Sequence, residues 1–259
     1  MMSTAKVDRN HPLAVKIRKQ ITRALAEFNM LAEGDKLMVC VSGGKDSSIL
    51  TILLDEIRTR AEINFTFEAV LLDQKQPGFD ADGFQQWLST EGIPLKIIEK
   101  NTYAIVTEKV KDGVFCSLCS KLRRAILYDY AFENKFSKMA LGHHRDDVIE
   151  TTLLNLFYVG QLSTMPPKLR SDDDRNTIIR PLVFVAEKDL IALSQEWNFP
   201  VIPCNLCGSQ EGLKRKRMKK LITDLETEIP NLGASFTHAL QNAKPSHLMD
   251  HKLFNFKEL

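Results

Sequence analysis

Apolar residues recur at a helical period from Pro12 to Met30, where Val15, Ile17, Ile21, Leu25, Ala26 and Phe28 read as an amphipathic helix. The next apolar run has no such period. KLMVCV (Lys36–Val41) is continuously apolar after its first residue, as expected of a strand buried on both faces of a parallel sheet. SGGKDSSILTILLDEIRTR then turns on two glycines and runs into a helix. The alternation continues. NFTFEAVLLDQ and IPLKIIEKN read as strands on either side of a helix in FDADGFQQWLSTEG. A helix spans about Ser117 to Asn134, followed by the strand SKMALGHH and a helix from about Asp146 to Tyr158. Strands alternating with helices predict an α/β fold with a doubly wound parallel sheet.

Beyond Gly160 the pattern loosens. STMPPKLRSDDDRN reads as a loop that covers a site or orders on binding a partner. TIIRPLVFV is strand-like and AEKDLIALSQEW helical, and the last sixty or so residues form a mostly helical appendage. The expected division is an N-terminal helix (1–30), a nucleotide-binding α/β domain (31–200) and a cysteine-bearing helical appendage (201–259).

The composition is that of a globular protein, 44% hydrophobic and 26% charged over 259 residues. No apolar run approaches the ~18 residues that span a bilayer. The N-terminus has no apolar core behind its basic residues, so the chain is expected in the cytoplasm, away from membranes. Five cysteines in that compartment point to ligands, catalysts or buried thiols rather than disulfides. A net charge of +2 says little, but its distribution says more. LKRKRMKK places Lys214, Arg215, Lys216, Arg217, Lys219 and Lys220 in one run, and KLRR holds Arg123 and Arg124. A charge run alone is a solvated helix face. Both runs adjoin a C-x-x-C pair, which suits a polyanion-binding surface.

SGGKDS (Ser42–Ser47) follows the first buried strand. It is neither a Walker A loop nor G-x-G-x-x-G. Its context still suits phosphate: Gly43 and Gly44 allow a sharp turn and close approach, and the helix from Lys45 aims N–H groups at an anion. Ser42 and Ser47 add hydroxyls. Asp46 is placed either to help hold Mg²⁺ between phosphates or only to favour the helix start. Asp73, after the second strand, stands where adenine or ribose contacts are expected, or is simply a turn residue. In GHHRDD, Gly142 permits close approach to a nucleotide, and Asp146 and Asp147 open a helix. His143 and His144 have the chemistry of an acid, a base or a metal ligand, but no second ligand stands near them in sequence.

Cys40 lies inside the first strand as a small buried hydrophobe. Cys116 and Cys119 form one C-x-x-C step, Cys204 and Cys207 another, with 84 residues between the steps. That gap is far longer than a zinc ribbon's. A long-range zinc site, a redox pair and a [4Fe–4S] centre all remain open from spacing.

SGGKDS resembles the pyrophosphate loop of the ATP pyrophosphatases. Taken in order with DQKQPGF, CSLCSKLRR, GHHRDD, MPPKL, PCNLCGSQ and PSHL, it resembles the tRNA 2-thiocytidine biosynthesis family, the tRNA cytidine-32 2-sulfurtransferases, over about Phe28–Phe256. The resemblance implies an adenine nucleotide alpha hydrolase-like PP-loop fold with Ser42, Gly43, Gly44, Lys45, Asp46 and Ser47 as phosphate cradle. Gly142 and an aspartate of the Asp146–Asp147 pair would lie near ATP and the reacting base. Three cysteines, Cys116, Cys119 and one of the second pair, would hold a [4Fe–4S] cluster. Cys207 beside Gly208 is the choice over Cys204. The open iron would carry the sulfur, supplied by a cysteine desulfurase or another donor. ATP and Mg²⁺ would adenylate the base, with Asp46, Asp146, Asp147 and Cys207 in catalytic roles. The basic runs would grip tRNA, and the assembly would be a homodimer. Two rival readings are a PP-loop ligase or amidotransferase acting on a small metabolite with zinc in its cysteines, and a non-enzymatic zinc-stabilised RNA-binding module.

Overall fold

Every position of strand β1 (Lys36–Val41) except the first is buried, which is why its run carries no polar alternation. The computed structural model describes residues 6–109, 115–202 and 210–258. Around β1 stand β2 (Thr66–Asp73), β3 (Leu95–Glu99), β4 (Lys138–Ala140), β5 (Lys168–Arg170) and β6 (Thr177–Ile179), in the order β3-β2-β1-β4-β6-β5. The β1 register pairs Val39 with Ala69 on one side and with Ala140 on the other, both parallel. The chain runs outward from β1 to β3 and then returns to β4 on the opposite side. The switch point therefore lies between β1 and β4, where open α/β sheets bind ligands.

The helices are α1 (Pro12–Glu27), α2 (Lys45–Arg60), α3 (Ala81–Thr90), α4 (Thr102–Lys109), α5 (Phe115–Glu133), α6 (Arg145–Leu154), α7 (Glu187–Trp197), α8 (Gln210–Glu228) and α9 (Leu232–Gln241). Successive β1 side chains serve opposite faces, as a pleated strand requires. Leu37, Val39 and Val41 join the larger core with α1, α2, α3 and α7; Met38 and Cys40 join a second core beneath α5, with Leu127, Ala131 and Met139. Cys40 is the buried residue its strand position implied, and burial pushes its thiol up to about 12. Helices α8 and α9 lie against α6, with Met218 and Ile222 of α8 buried. Among the described residues no helix is long and apolar enough to cross a membrane.

The sheet departs from the sequence pattern at its far edge. Within the expected loop, Lys168–Arg170 forms β5, antiparallel to β6 (Lys168 opposite Ile179), a piece of three residues too short to show a period. The strand-like TIIRPLVFV is a strand only as far as Ile179. Pro181 has no N–H for the ladder, and the chain turns there, Val183 N–H donating to Arg180 O at 3.1 Å. Helix α4 falls where the pattern predicts no element. The helix expected to run to Tyr158 is α-helical to Leu154 and then widens into a π-turn, Asn155–Val159.

Candidate active site

The chain leaves β1, turns through Ser42, Gly43 and Gly44, and enters α2 at Lys45. Gly43 sits at φ +77°, and a Cβ there would fall 2.7–2.9 Å from Ile202, whose N–H donates to Gly43 O at 2.9 Å. Gly44 caps α2 without a side-chain hydrogen bond. The first-turn N–H groups are thus left to a ligand, at the positive end of a 16-residue helix. The Ser47 hydroxyl accepts from Ser42 N–H at 3.1 Å and lies 3.1 Å from the Ser42 hydroxyl, closing the loop on itself. Lys45 Nζ stands 3.1 Å from Asp46 and 3.4 Å from Glu187 at the start of α7. Burial pushes the Asp46 carboxyl above the usual range, with the charges of Lys45 and His144 opposing it.

The junction after β4 meets this loop directly. A Cβ on Gly142 would lie 3.0 Å from Ser47 N and 3.1 Å from Ser47 Cα, so glycine lets the two turns touch. His144 caps α6: its Nδ1 accepts from Asp147 N–H at 3.4 Å while Asp147 Oδ2 accepts from His144 N–H at 3.0 Å, a reciprocal capping box. Asp146 Oδ2 accepts from Glu187 N–H at 2.7 Å and fixes α7 against α6. His144 is therefore a structural cap. His143 lines the cavity described next; burial pulls its imidazole down to about 4 and its Nδ1 has no hydrogen-bond partner. Among the described residues no three His, Cys, Asp or Glu side chains cluster as a metal site.

A cavity of about 480 Å³ opens between the two junctions and α5. Ser42, Asp46, Ser47, Gly142, His143 and Asp147 line it, together with Arg123, Arg124 and Arg180 and the apolar Cys40, Leu72, Met139 and Leu141. Gln74 organises one part of this lining. Its amide donates to Thr102 Oγ1 at 2.8 Å and to Cys119 Sγ at 3.1 Å, and its carbonyl accepts from Arg123 Nε at 2.8 Å. Cys119 is buried, and Ser120 beside it lines the cavity. Ile202, the last described residue before the second cysteine pair, presses on the phosphate loop. Cys204 and Cys207 lie outside the described residues, as does the Cys116 side chain.

Asp73 does not line the cavity. Its carboxylate accepts from Lys75 N–H at 2.7 Å and pairs with Lys75 Nζ at 2.8 Å, while its neighbour Gln74 faces the site. The basic run on α8 divides. Arg215 reaches Glu150 (2.9 Å) and Asp147 (3.8 Å), and Lys219 reaches Glu187 (2.5 Å), tying α8 to the acids of the site. Lys220 pairs with Asp224, and Lys214 lies over the Tyr158 ring at 4.6 Å. Lys216 and Arg217 are exposed. Sequence reading missed Gln74, Glu187 and Arg180. Glu187 and Arg180 sit in no motif; Gln74 lies within DQKQPGF and adjoins Asp73 at a strand end, a position that could have flagged it.

A phosphate fits this geometry: the glycine cradle leaves no room for a side chain, and the helix end above it has no cap of its own. Residues 13–205 match the family model of a PP-loop domain. The chain is 63% identical over 248 residues to a tRNA-cytidine(32) 2-sulfurtransferase of Bdellovibrio bacteriovorus, covering 96% of each chain. It is 51% identical over 251 residues to the protein of that name from Tolumonas auensis, covering 96% of this chain and 83% of the relative. In fold it is similar to the U34-tRNA thiolase NcsA from Methanococcus maripaludis, solved with its [4Fe–4S] cluster. The TM-score is 0.69 at 21% identity, over 90% of this chain and 80% of that one.

Proposed function

The chain belongs to the tRNA-cytidine(32) 2-sulfurtransferases, a family of PP-loop enzymes, and on that premise we propose that it activates cytidine 32 with ATP and exchanges its 2-oxygen for sulfur. It is a tRNA-thiolating transferase, which removes the non-enzymatic alternative. The cytidine oxygen is a poor leaving group. Its attack on the α-phosphorus of ATP forms an O–P bond, breaks the bond to pyrophosphate and leaves AMP on the base. Sulfur then bonds to C2, and the C2–O bond breaks as AMP departs with the oxygen.

The chain's own groups divide this work. The N–H groups at the start of α2, with Ser42, Ser47 and Lys45, hold the phosphates and stabilise charge on the departing pyrophosphate. Asp46 and Asp147 face the same cavity and would hold Mg²⁺, which neutralises phosphate charge. Asp146 serves by holding α7, and with it Glu187 beside Lys45. Asp73 supports the ribose side through the turn at Lys75. Cys116, Cys119 and Cys207 would hold a [4Fe–4S] cluster, which would supply the nucleophilic sulfur. Of these, Cys119 suits such a role: it is buried behind Gln74, which lines the cavity and whose amide donates to its sulfur. Arg123, Arg124 and the basic run of α8 contact tRNA, where an anticodon-loop base is accessible as a duplex base is not.

Sulfur is supplied by a cysteine desulfurase or another donor. Residues 31–200 act as the nucleotide-binding unit in the cytoplasm, and 201–259 as the appendage that meets tRNA. A homodimer is supported by the exposed apolar residues Leu156, Phe157, Tyr158 and Val159 of the π-turn, and light scattering at working concentration checks it.

One observation carries the reading: an uncapped helix end packs against Gly142 beside a cavity lined by Asp46, Asp147 and three arginines. In a strain lacking the gene, thiocytidine should vanish from tRNA and return with wild type but not with Asp46→Ala or Cys119→Ala. Normal thiocytidine in that strain ends the proposal. After anaerobic purification the protein should carry iron and acid-labile sulfide. A colourless protein with zinc and no sulfide defeats the cluster.

A further inference from the structure

Besides the phosphate loop, the cavity is lined by a second set of polar side chains on α5 and after β5 and β6. Arg180 follows β6 and lines that part of the wall. Its Nη1 donates to Pro166 O at 2.6 Å and its Nε is buried, so the guanidinium is locked in place. Among the described residues that buried Nε has no hydrogen-bond partner, so Arg180 keeps donors that no neighbour takes up. Tyr128 of α5 stands beside it, its hydroxyl in the field of Arg124 and Arg180 and, with opposite sign, of Asp172. Asp172 also lines the wall and is exposed at its mouth. Leu127 and Leu169 extend the apolar lining.

A carboxylate lining the same cavity as the arginines argues against a plain phosphate site, since it would repel a phosphate. The same set complements a flat base that presents an amino group next to a ring-nitrogen acceptor. The carboxylate takes the amino hydrogens and the guanidinium donates to the ring nitrogen. Cytosine presents that edge, and so does the adenine of ATP. In a doubly wound sheet the nucleoside half of the cofactor lies toward β2, whereas this wall belongs to β5 and β6, beyond β4. Resting on the thiolation reading above, we propose that Asp172, Arg180 and Tyr128 form the pocket that reads the target cytosine. Asp172 accepts from its N4 amino group, the Arg180 guanidinium donates to N3, and the Tyr128 ring shapes the wall. Uridine would set O4 against the carboxylate and N3–H against the guanidinium, so the pocket selects by repulsion as well as attraction.

The test measures binding of anticodon stem–loop RNA carrying cytidine or uridine at the target position to the full chain. It adds the preference for ATP over ITP and, separately, thiolation of the cytidine RNA. Asp172→Asn should reduce the cytidine-over-uridine binding preference by about ten- to a hundredfold, with ATP preference unchanged. Arg180→Lys should reduce the same preference. Asp172 is exposed, so its variant keeps the test open if Arg180→Lys misfolds. Wild-type cytidine preference in the Asp172→Asn protein overturns the pocket. A fall in ATP-over-ITP preference with cytidine preference intact overturns it too and gives the wall to adenine. Absence of thiocytidine from the wild-type product counts against the thiolation reading, while the binding measurements judge the pocket.

Discussion

Two strand–helix junctions meet at the carboxyl edge of the sheet, and they solve the same problem in opposite ways. Each must satisfy the free N–H groups that begin a helix. At α6 the protein does it internally: His144 and Asp147 bond each other's backbone N–H groups, and Asp146 is committed to Glu187 N–H. At α2 Gly44 offers no side chain, so the donors wait for a ligand. The difference shows why similar helix starts, each with acids in its first turn, have different uses. The closed junction holds acids and an imidazole in fixed places, and the open one holds an anion. Gly142 against Ser47 keeps them in contact.

The strongest way to separate them is to neutralise one aspartate in each. Asp46→Asn should lower thiolation by about two to three orders of magnitude, the loss seen when a preorganised charge-stabilising group is removed. Its effect on stability should be opposite in sign. The folded protein holds this proton above the ordinary carboxyl value of 3.8, because burial disfavours the charge. As pH rises from there through the raised folded value, the unfolded chain sheds the proton first and Asp46 costs stability. The asparagine variant should therefore melt at the same temperature as wild type or higher at neutral pH, and a clear fall in Tm would sink this account. At the closed junction, Asp147→Ala should fray α6 and cost about 1 kcal/mol, read by chemical denaturation.

Backbone freedom separates the junctions next. Gly43→Ala forces a Cβ into φ +77° and against Ile202, so the loop must shift relative to its phosphates. A misplacement on the ångström scale costs about a hundredfold in thiolation, and calorimetry should find ATP affinity reduced in parallel. Affinity within a few-fold of wild type would mean the loop does not hold phosphate as described.

How legible this was in the sequence depends on how local each feature is. The phosphate loop lies within six consecutive residues, so the motif and its strand–turn–helix setting were both readable, and Gly43 and Gly44 stand as expected. The cavity's lining joins α5 to Arg180 and Asp172, residues no short window connects. Lys45 meets Glu187 across 142 positions. Asp73 shows the limit of position-based reasoning: the strand end was right, but a turn carboxylate satisfied by Lys75 left the facing role to Gln74. β5 escaped because three residues carry no period, and β6 was overread because apolar residues after Pro181 are buried in turns rather than in the ladder.

The paired histidines sharpen the contrast within one junction. His144 uses its ring for the cap, whereas His143 faces the cavity and is held near 4 by burial. The unfolded value near 6.5 is higher, so the stability His143 contributes is present above pH 6.5 and lost as pH falls toward 4. An NMR titration should show one histidine with a midpoint near 4, absent from His143→Asn. A midpoint near 6.5 for His143 would mean that burial does not hold the ring neutral.

The smallest effect tests whether the closed junction also organises RNA binding. Arg215 and Lys219 are held by Glu150 and Glu187, so removing them disturbs helix placement as well as charge. Lys216 and Arg217 are exposed on the same helix with no acidic partner among the described residues, so they isolate the electrostatic contribution. Each neutralised phosphate releases counterions, and the slope of log affinity against log salt falls by about one for every phosphate no longer neutralised. Lys216→Ala and Arg217→Ala should each weaken tRNA binding a few-fold at moderate salt and flatten that slope by about one. Lys220→Ala should flatten it less, because Asp224 already neutralises that ammonium at 2.9 Å. Equal slopes for wild type and both exposed-site variants would remove α8 from the tRNA surface and leave its basic run as the clamp that fixes it to α6 and α7.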